Sequence, residues 1–400
     1  MLDAYITDGL RTPFGRHAGG LAKVRPDDLL GGVIKALVAR SGVAPGSFDD
    51  VTIGCTNQAG EDSRNVARHA LLLAGLPVET PGQVHNRLCG SGLNALIGAA
   101  HAITCGEAHV CIAGGVESMS RAPFVMAKAE QGFQRDFRMF DSTIGARFPN
   151  PKIEKAFGAH TMPETSDNLA HDHQLSRDAC DLFAHASQQK FARAKAEAFF
   201  AGEIQAVTLA GAKGKPDIVI ADDEHPRPQT SLEDLKKLRP LFEGGVTTAG
   251  NASGINDGAA ALLVMSRKAA EKAGKAPIAR VIATAVAGVE PRVMGYGPVP
   301  AAHKALERAG LTIKDMDIIE INEAFAAQVL GCLKGLGVAF DDKRVNPNGG
   351  AIAVGHPLGA SGARLALTTA RQLQRTGGRY ALVSMCIGVG QGIAVILERS

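Results

Sequence analysis

The sequence predicts an α/β protein made of two related halves, and two observations carry that prediction. Short apolar runs alternate with helical patterns. VTIG (51–54), HVCIAGG (109–115), DIIEIN (317–322), YALVSMC (380–386) and GIAVILE (392–398) read as buried strands. LNALIGAAHAIT (93–104) and ARLALTTARQLQ (363–374) read as helices between them, an alternation that predicts a largely parallel sheet. The second observation is a repeat. LCGSGLNALIGAAHAITCGEAHVCIAGG (88–115) resembles LGASGARLALTTARQLQRTGGRYALVSMCIGVG (358–390): Leu, a small pair, Ser-Gly, a helix, a Gly-containing turn, a strand, then glycines. DDVTIGCTN (49–57) likewise resembles DMDIIEINEA (315–324), and both pairs lie about 270 residues apart. This points to an internal duplication packed about a pseudo-two-fold axis.

The N-terminal MLDAYITDGLRTPFG enters a strand almost at once and lacks the long apolar core of a signal peptide. Between the halves lies a region rich in Arg, Lys, Met, Phe and Pro, including SRAPFVMAKAEQGFQRDFRMF and RFPNPKIEKAFG. Its apolar content argues against disorder, and RDACDLFAHASQQKFARAKAEAFFAG (177–202) reads as a helix. The expected division is a first half of residues 1–118 with 255–277, an inserted loop domain of 119–254, and a second half of 278–400.

Composition is that of an ordinary globular chain: 400 residues, 45% hydrophobic, 21% charged, with 47 glycines that imply many tight turns. The net charge of +3 is too small for a nucleic-acid footprint. No apolar run reaches the roughly 18 residues of a membrane span. The seven cysteines form no CxxC pair, so neither a metal site nor a disulfide framework is expected. Five of them fit as small core hydrophobes in a reducing cytoplasm. The terminal ILERS carries no peroxisomal address.

Four stretches carry chemistry. In NRLCGSGLNAL (86–96), Cys89 precedes a helix, beside glycines that cost roughly 1 kcal/mol against alanine inside one. A thiol there faces unpaired N–H groups, which favour the thiolate; a buried structural cysteine is the plainer reading. In NPNGGAIAVGHPLGASGAR (346–364), His356 lies in a glycine-dense loop with little side-chain packing to hold a purely structural imidazole. In SMCIGVGQG (384–392), Cys386 is followed by glycines whose N–H groups are free to hold an oxyanion. In INEAFAAQ (321–328), Asn322 and Glu323 end a strand, where site residues gather in α/β sheets, although Asn also serves as an ordinary helix cap. A protease would use one cysteine with His and Asn or Asp. Glycine-rich backbone beside Cys, His and Cys suits an oxyanion better than a metal and its supporting groups.

NRLCGSG, GGVESMSRAPF, AGNASGINDGAAA, NEAFA, NPNGGAIAVGHPLGASG and MCIGVGQG, in this order, together with the opening DGLRTPFG, resemble the thiolase family over essentially the whole chain. The resemblance implies two duplicated βαβαβαββ halves in a five-layer α-β-α-β-α core, an inserted loop domain, and a dimer or tetramer. It implies no cofactor or metal, with coenzyme A and a 3-ketoacyl-CoA as substrates. Cys89 matches the acylated nucleophile, His356 its base, and Cys386 the second acid/base. Asn322 would fix a water that, with His356, holds one substrate oxygen. The N–H groups of Cys89 and Gly388 would hold the acyl-enzyme oxygen. Ser253, Arg227, Met162, Phe242, Ala249 and Phe325 match positions that line coenzyme A. Covalent transfer in two steps would follow.

Within the family, QAGEDSRNVARHALLLAGLP (58–77), APFVMAKAE and PRVMGYGPVPA (291–301) look most like 3-oxoadipyl-CoA thiolases of aromatic catabolism. Thr161 stands where acetoacetyl-CoA thiolases carry a histidine, and Pro163-Glu164 replaces their glycine-led stretch, which favours a longer substrate. General fatty-acid thiolase and acetoacetyl-CoA thiolase activity are the alternatives. Decarboxylating condensing enzymes carry one cysteine with two histidines, or with His and Asn, and non-catalytic thiolase-like lipid carriers lose a reactive residue; this chain keeps all four. A dicarboxylate tail needs a cation, because burying it unpaired costs several kcal/mol. Arg121, Lys128, Arg135, Arg138, Arg147, Lys152 and Lys155 supply candidates. No more than one or two are expected to touch the tail, an Arg before a Lys because its fork fits a carboxylate.

Overall fold

Strand order repeats between the halves. In the first, Gly82–His85, Asp50–Gly54, Val110–Ser118, Asn256–Met265 and Ala4–Arg11 lie side by side in that sequence. In the second, the order is Ile318–Ile321, Tyr380–Ile387, Gln391–Arg399 and Ala279–Gly288. Directions repeat as well: Asp50–Gly54 runs parallel to Val110–Ser118, as Ile318–Ile321 does to Tyr380–Ile387, and the following pairings are antiparallel. A parallel bridge between Ile319 and Val345 takes the place of the Gly82–His85 strand. Ala4–Arg11 joins the halves by pairing Ala4 with Val281 and Ile6 with Ala279. These assignments come from a computed structural model that describes residues 1–400.

The sheet is mixed and mostly antiparallel, not largely parallel as the alternation predicted. The reason is local in the second half. Tyr380–Ile387 turns straight back into Gln391–Arg399 through Gly388-Val389-Gly390, where Val389 (φ 63°) and Gly390 (φ 80°) make a tight reversal. Two central strands, Asn256–Met265 and Ala279–Gly288, were not among the expected runs. Asn256–Met265 has Val264 as its one β-branched residue, and in Ala279–Gly288 alanines interrupt Val281, Ile282, Thr284 and Val286, which blurs the strand signature. Ladders on both sides and near-complete burial make them strands.

Five layers result, as the resemblance implied. Helices Pro26–Ser41 and Val66–Leu73 cover one outer face through Leu30, Ile34, Ala67 and Leu71. Helices Pro298–Ala309 and Ala326–Leu336 cover the opposite face through Val299, Leu306, Leu330 and Leu333. Ser91–Thr104 and Leu358–Thr376 lie between the two halves of the sheet with Leu93, Leu96, Leu365 and Leu367. Each such leucine contributes about 1.5–3 kcal/mol on full burial. In the insert, the helix runs Arg177–Ala196 and stops short of the expected 202. Ala198 (φ 52°) reverses the chain there, and Phe199 and Phe200 turn inward against Phe14 and Phe191. No helix is long and apolar enough to cross a membrane.

Candidate active site

The two central helices meet at their N-termini. A Cβ on Gly92 would lie 2.3 Å from the Gly359 carbonyl oxygen, so Gly92 must be bare for the backbones to touch, and a Cβ on Gly359 would lie 2.6 Å from the Val116 carbonyl oxygen. Cys89 stands two residues before Ser91, where one helix begins, and His356 two before Leu358, where the other begins. Glu117, at the end of a buried strand, ties the two loops together. Its carboxylate accepts from the N–H groups of Gly359 (2.9 Å), Thr56 (3.0 Å) and Asn57 (2.9 Å), and the Thr56 hydroxyl donates to the Leu88 carbonyl at 3.1 Å. Burial lifts the Glu117 carboxyl to about 7 against the pull of those N–H groups.

Cys89 sits on a tight turn. Leu88 is left-handed (φ 45°), and the N–H groups of Gly90 and Ser91 close back on the Arg87 and Leu88 carbonyls. The N–H groups of Gly388 and of Cys89 itself interact with the Cys89 thiol. Gly388 lies beside Leu88 and Met162: a Cβ there would stand 3.3 Å from Leu88 Cδ1 and 3.9 Å from Met162 Cε. The expected lowering of the Cys89 pKa does not occur. Burial outweighs both N–H groups and pushes the thiol up to about 11, so the nucleophile rests protonated.

His356 is the complementary group. Burial, reinforced by the Arg364 cation, holds its imidazole down to about 3, so it rests neutral. The backbone N–H of His356 donates to Asn256 Oδ1 at 2.8 Å. Its Nδ1 lies 2.6 Å from Ser361 Oγ, which also lies 3.3 Å from the Pro357 carbonyl. If Ser361 donates to that carbonyl, it accepts from Nδ1–H and leaves the Nε2 lone pair as the base. Asn322 Nδ2 lies 3.4 Å from Nε2.

Asn322 is not a helix cap: the following helix starts at Ala326, with Phe325 before it. It is fully buried, and its N–H donates to the Ser384 carbonyl at 2.9 Å, beside the strand of Cys386. Its Oδ1 is buried without a protein partner, an acceptor available to a water or substrate group. Glu323 points away from this chemistry. It accepts from Ser187 Oγ (2.7 Å), Asn346 Nδ2 (2.8 Å) and the Ile352 N–H (3.1 Å), bracing the loop that leads to His356.

Cys386 is 1% exposed and packs with Met294, Ala324 and Phe325, against Met162 and Ala252. Burial raises its thiol far above the ordinary range, and the neighbouring Cys89 adds to the rise. The structure thus gathers Cys89, Cys386, Gly388, Met162, Phe325, Asn322 and His356 around the two helix starts. Ser253 adjoins them, its N–H donating to the Ala324 carbonyl at 2.9 Å. Arg227 and Ala249 line a separate cavity of about 360 Å³ together with Gln188, His225, Thr230 and Ala252. Ala252 bridges to Phe325, which connects that cavity to the Cys386 wall. Phe242 stands apart on an exposed loop and does not line the cavity. Thr161 and Glu164 have a local role: the Thr161 N–H and hydroxyl donate to Glu164 at 2.6 and 2.7 Å, closing the start of helix Met162–His173. Sequence reasoning missed Ser361, Asn256 and Glu117 as supports. Their signal was a polar residue inside an otherwise small or apolar motif.

Comparison with known proteins gives a consistent result. Residues 4–268 match the family described as Thiolase, N-terminal domain, and residues 275–399 match Thiolase, C-terminal domain. A beta-ketoadipyl-CoA thiolase of Acinetobacter baylyi is 57% identical, with all of both chains covered. A 3-oxoadipyl-CoA/3-oxo-5,6-dehydrosuberyl-CoA thiolase of Escherichia coli is also 57% identical, again with all of both chains covered. Among solved structures, human mitochondrial 3-ketoacyl-CoA thiolase in complex with CoA superposes with a TM-score of 0.92 at 40% identity, covering 100% of this chain and 98% of that one.

Proposed function

The chain belongs to the thiolase family, and on that premise we propose that it cleaves 3-oxoadipyl-CoA with coenzyme A to succinyl-CoA and acetyl-CoA. The observation that carries the reading is the Cys89 thiol, placed against the Gly388 and Cys89 N–H groups and near the buried thiol of Cys386.

His356 Nε2 takes the Cys89 proton as sulfur attacks the 3-keto carbon. The bond between C2 and C3 then breaks with its electron pair moving to C2. Cys386 protonates the resulting enolate, and acetyl-CoA leaves. Coenzyme A gives its thiol proton to the Cys386 thiolate and attacks the acyl carbonyl held by the Gly388 and Cys89 N–H groups. Cys89 leaves as thiolate and recovers its proton from His356. The protein rests with both thiols protonated and the imidazole neutral, a starting state that this order requires. Stabilising the enolate is the largest demand, and the buried Asn322–His356 pair suits it.

In this reading residues 119–254 form the loop domain over coenzyme A, and Arg227, Ala249, Ser253, Met162 and Phe325 line the cofactor-sized substrate. Phe124, Phe137 and Phe148 of that domain are exposed apolar side chains, which supports self-association as a dimer or tetramer.

Mass spectrometry after incubation with 3-oxoadipyl-CoA, without free coenzyme A, tests the chemistry. A succinyl adduct on Cys89 is expected, none in Cys89→Ala. Cys386→Ser is expected to accept an acyl group slowly from succinyl-CoA, yet to lose about 10²–10⁴-fold in cleavage of the C–C bond. An adduct elsewhere, or near-normal cleavage by Cys386→Ser, would refute the assignment.

A further inference from the structure

We propose that Arg147 is the residue that selects a substrate with a distal carboxylate. This rests on the 3-oxoadipyl-CoA reading and deepens it. Of the seven cations in the stretch from Ser120 to Lys155, Lys128, Arg135, Arg138, Lys152 and Lys155 are exposed. Arg121 is already paired, its guanidinium donating to Glu61. Arg147 differs from all of these. It is half-buried, its Nη2 donates to the Ser142 carbonyl at 3.1 Å, and its Nε is buried with no partner.

Three other arginines also have a buried nitrogen without a hydrogen bond, but each faces an acid. Arg280 lies 3.0 Å from Asp3, Arg371 lies 3.6 Å from Glu203, and Arg364 is held beside Glu320. Arg147 makes no ion pair. A guanidinium that is partly desolvated and uncompensated is a standing demand for an anion, and its planar fork matches a carboxylate.

Hydrogen bonds tie its segment to the loop that carries the nucleophile. The Ser142 carbonyl that holds Arg147 also accepts from Asn57 Nδ2 at 2.8 Å. The neighbouring Thr56 hydroxyl donates to the Leu88 carbonyl, which precedes Cys89. Arg147 is therefore latched, through one carbonyl and one loop, to the turn that carries the nucleophile. The far carboxyl of 3-oxoadipyl-CoA lies only three carbon–carbon bonds beyond the carbon that Cys89 attacks. Phe140 and Phe148 stack edge-on at 4.9 Å across the segment, fixing the turn from which Arg147 projects.

Steady-state thiolysis of 3-oxoadipyl-CoA and of neutral 3-oxohexanoyl-CoA, in the intact protein and in Arg147→Met, Arg147→Gln and Arg147→Lys, tests this. The intact protein is expected to prefer the dicarboxylate in kcat/KM. Arg147→Met and Arg147→Gln are expected to reduce that preference roughly ten- to hundredfold, the worth of a charge-assisted hydrogen bond. Arg147→Lys should recover part of it. If both substrates fall together, or the preference survives in Met and Gln variants, Arg147 is not the selector. If the intact protein has no preference, the dicarboxylate reading itself fails, and Arg147 with it.

Discussion

Ser361 Oγ lies 2.6 Å from His356 Nδ1, on the first turn of the helix that follows the histidine. The serine acts only through the imidazole, fixing which nitrogen carries the proton. Ser361→Ala should therefore lower kcat about ten- to hundredfold while leaving the KM for coenzyme A near its starting value. Ser361→Thr, which keeps the hydroxyl, should retain more activity than Ser361→Ala. Equal loss in both variants would indicate a packing role instead.

The resting Cys89 thiol, raised to about 11 beside a neutral imidazole, makes a specific statement about reactivity. Its alkylation by iodoacetamide should rise continuously with pH from 6 to beyond 9, following the thiolate fraction. A plateau with an apparent midpoint near 7 or below would mean a preformed thiolate–imidazolium pair. Peptide mapping of the label at each pH separates Cys89 from exposed Cys105.

Glu117 titrates near 7 in the folded chain, above its ordinary 4.5, because it is buried. A carboxyl raised on folding binds its proton more tightly when folded. Its contribution is fully present below about 4.5 and is lost as pH rises through about 7. The thermal midpoint of the protein, measured relative to Glu117→Gln, should therefore fall between pH 5 and pH 8. The variant should also be less stable by about 1–3 kcal/mol, since its amide NH₂ faces a backbone N–H that the carboxylate satisfied. A difference that grows with pH would contradict the assignment.

Gly92 and Gly32 offer a paired test of packing. Gly92→Ala would drive a Cβ to 2.3 Å from the Gly359 oxygen, and overpacking of that kind costs typically about 1–3 kcal/mol or more. Gly32 lies exposed within helix Pro26–Ser41 with nothing near its Cβ position, so Gly32→Ala should gain about 1 kcal/mol. Denaturant unfolding of both variants checks the opposite signs.

The sequence made the duplicated halves and the reactive residues legible because those features are local. A thiol before Gly-Ser-Gly, a histidine among glycines and a cysteine leading into Gly-Val-Gly each announce themselves over a few residues. The alanine-rich strands Asn256–Met265 and Ala279–Gly288 did not, since neighbours on both sides make them strands. The Cys89 pKa was misjudged for a related reason: the helix start was visible in the chain, whereas the burial that overrides it exists only after folding. Ser361 was hidden because a serine in a helix's first turn has many ordinary uses.

Ala4–Arg11 is held between Asn256–Met265 and Ala279–Gly288, and Val110–Ser118 is paired along Ser118–Asp257 to Val110–Met265. Ala4–Arg11 thus has neither of its partners, and Val110–Ser118 only one of its two, until residues beyond the insert leave the ribosome. During synthesis the first half cannot close its sheet, and apolar strand edges stay open through most of translation. Pairings across such sequence distances form slowly. A fragment cut anywhere before Met265 therefore has no complete first half to fold.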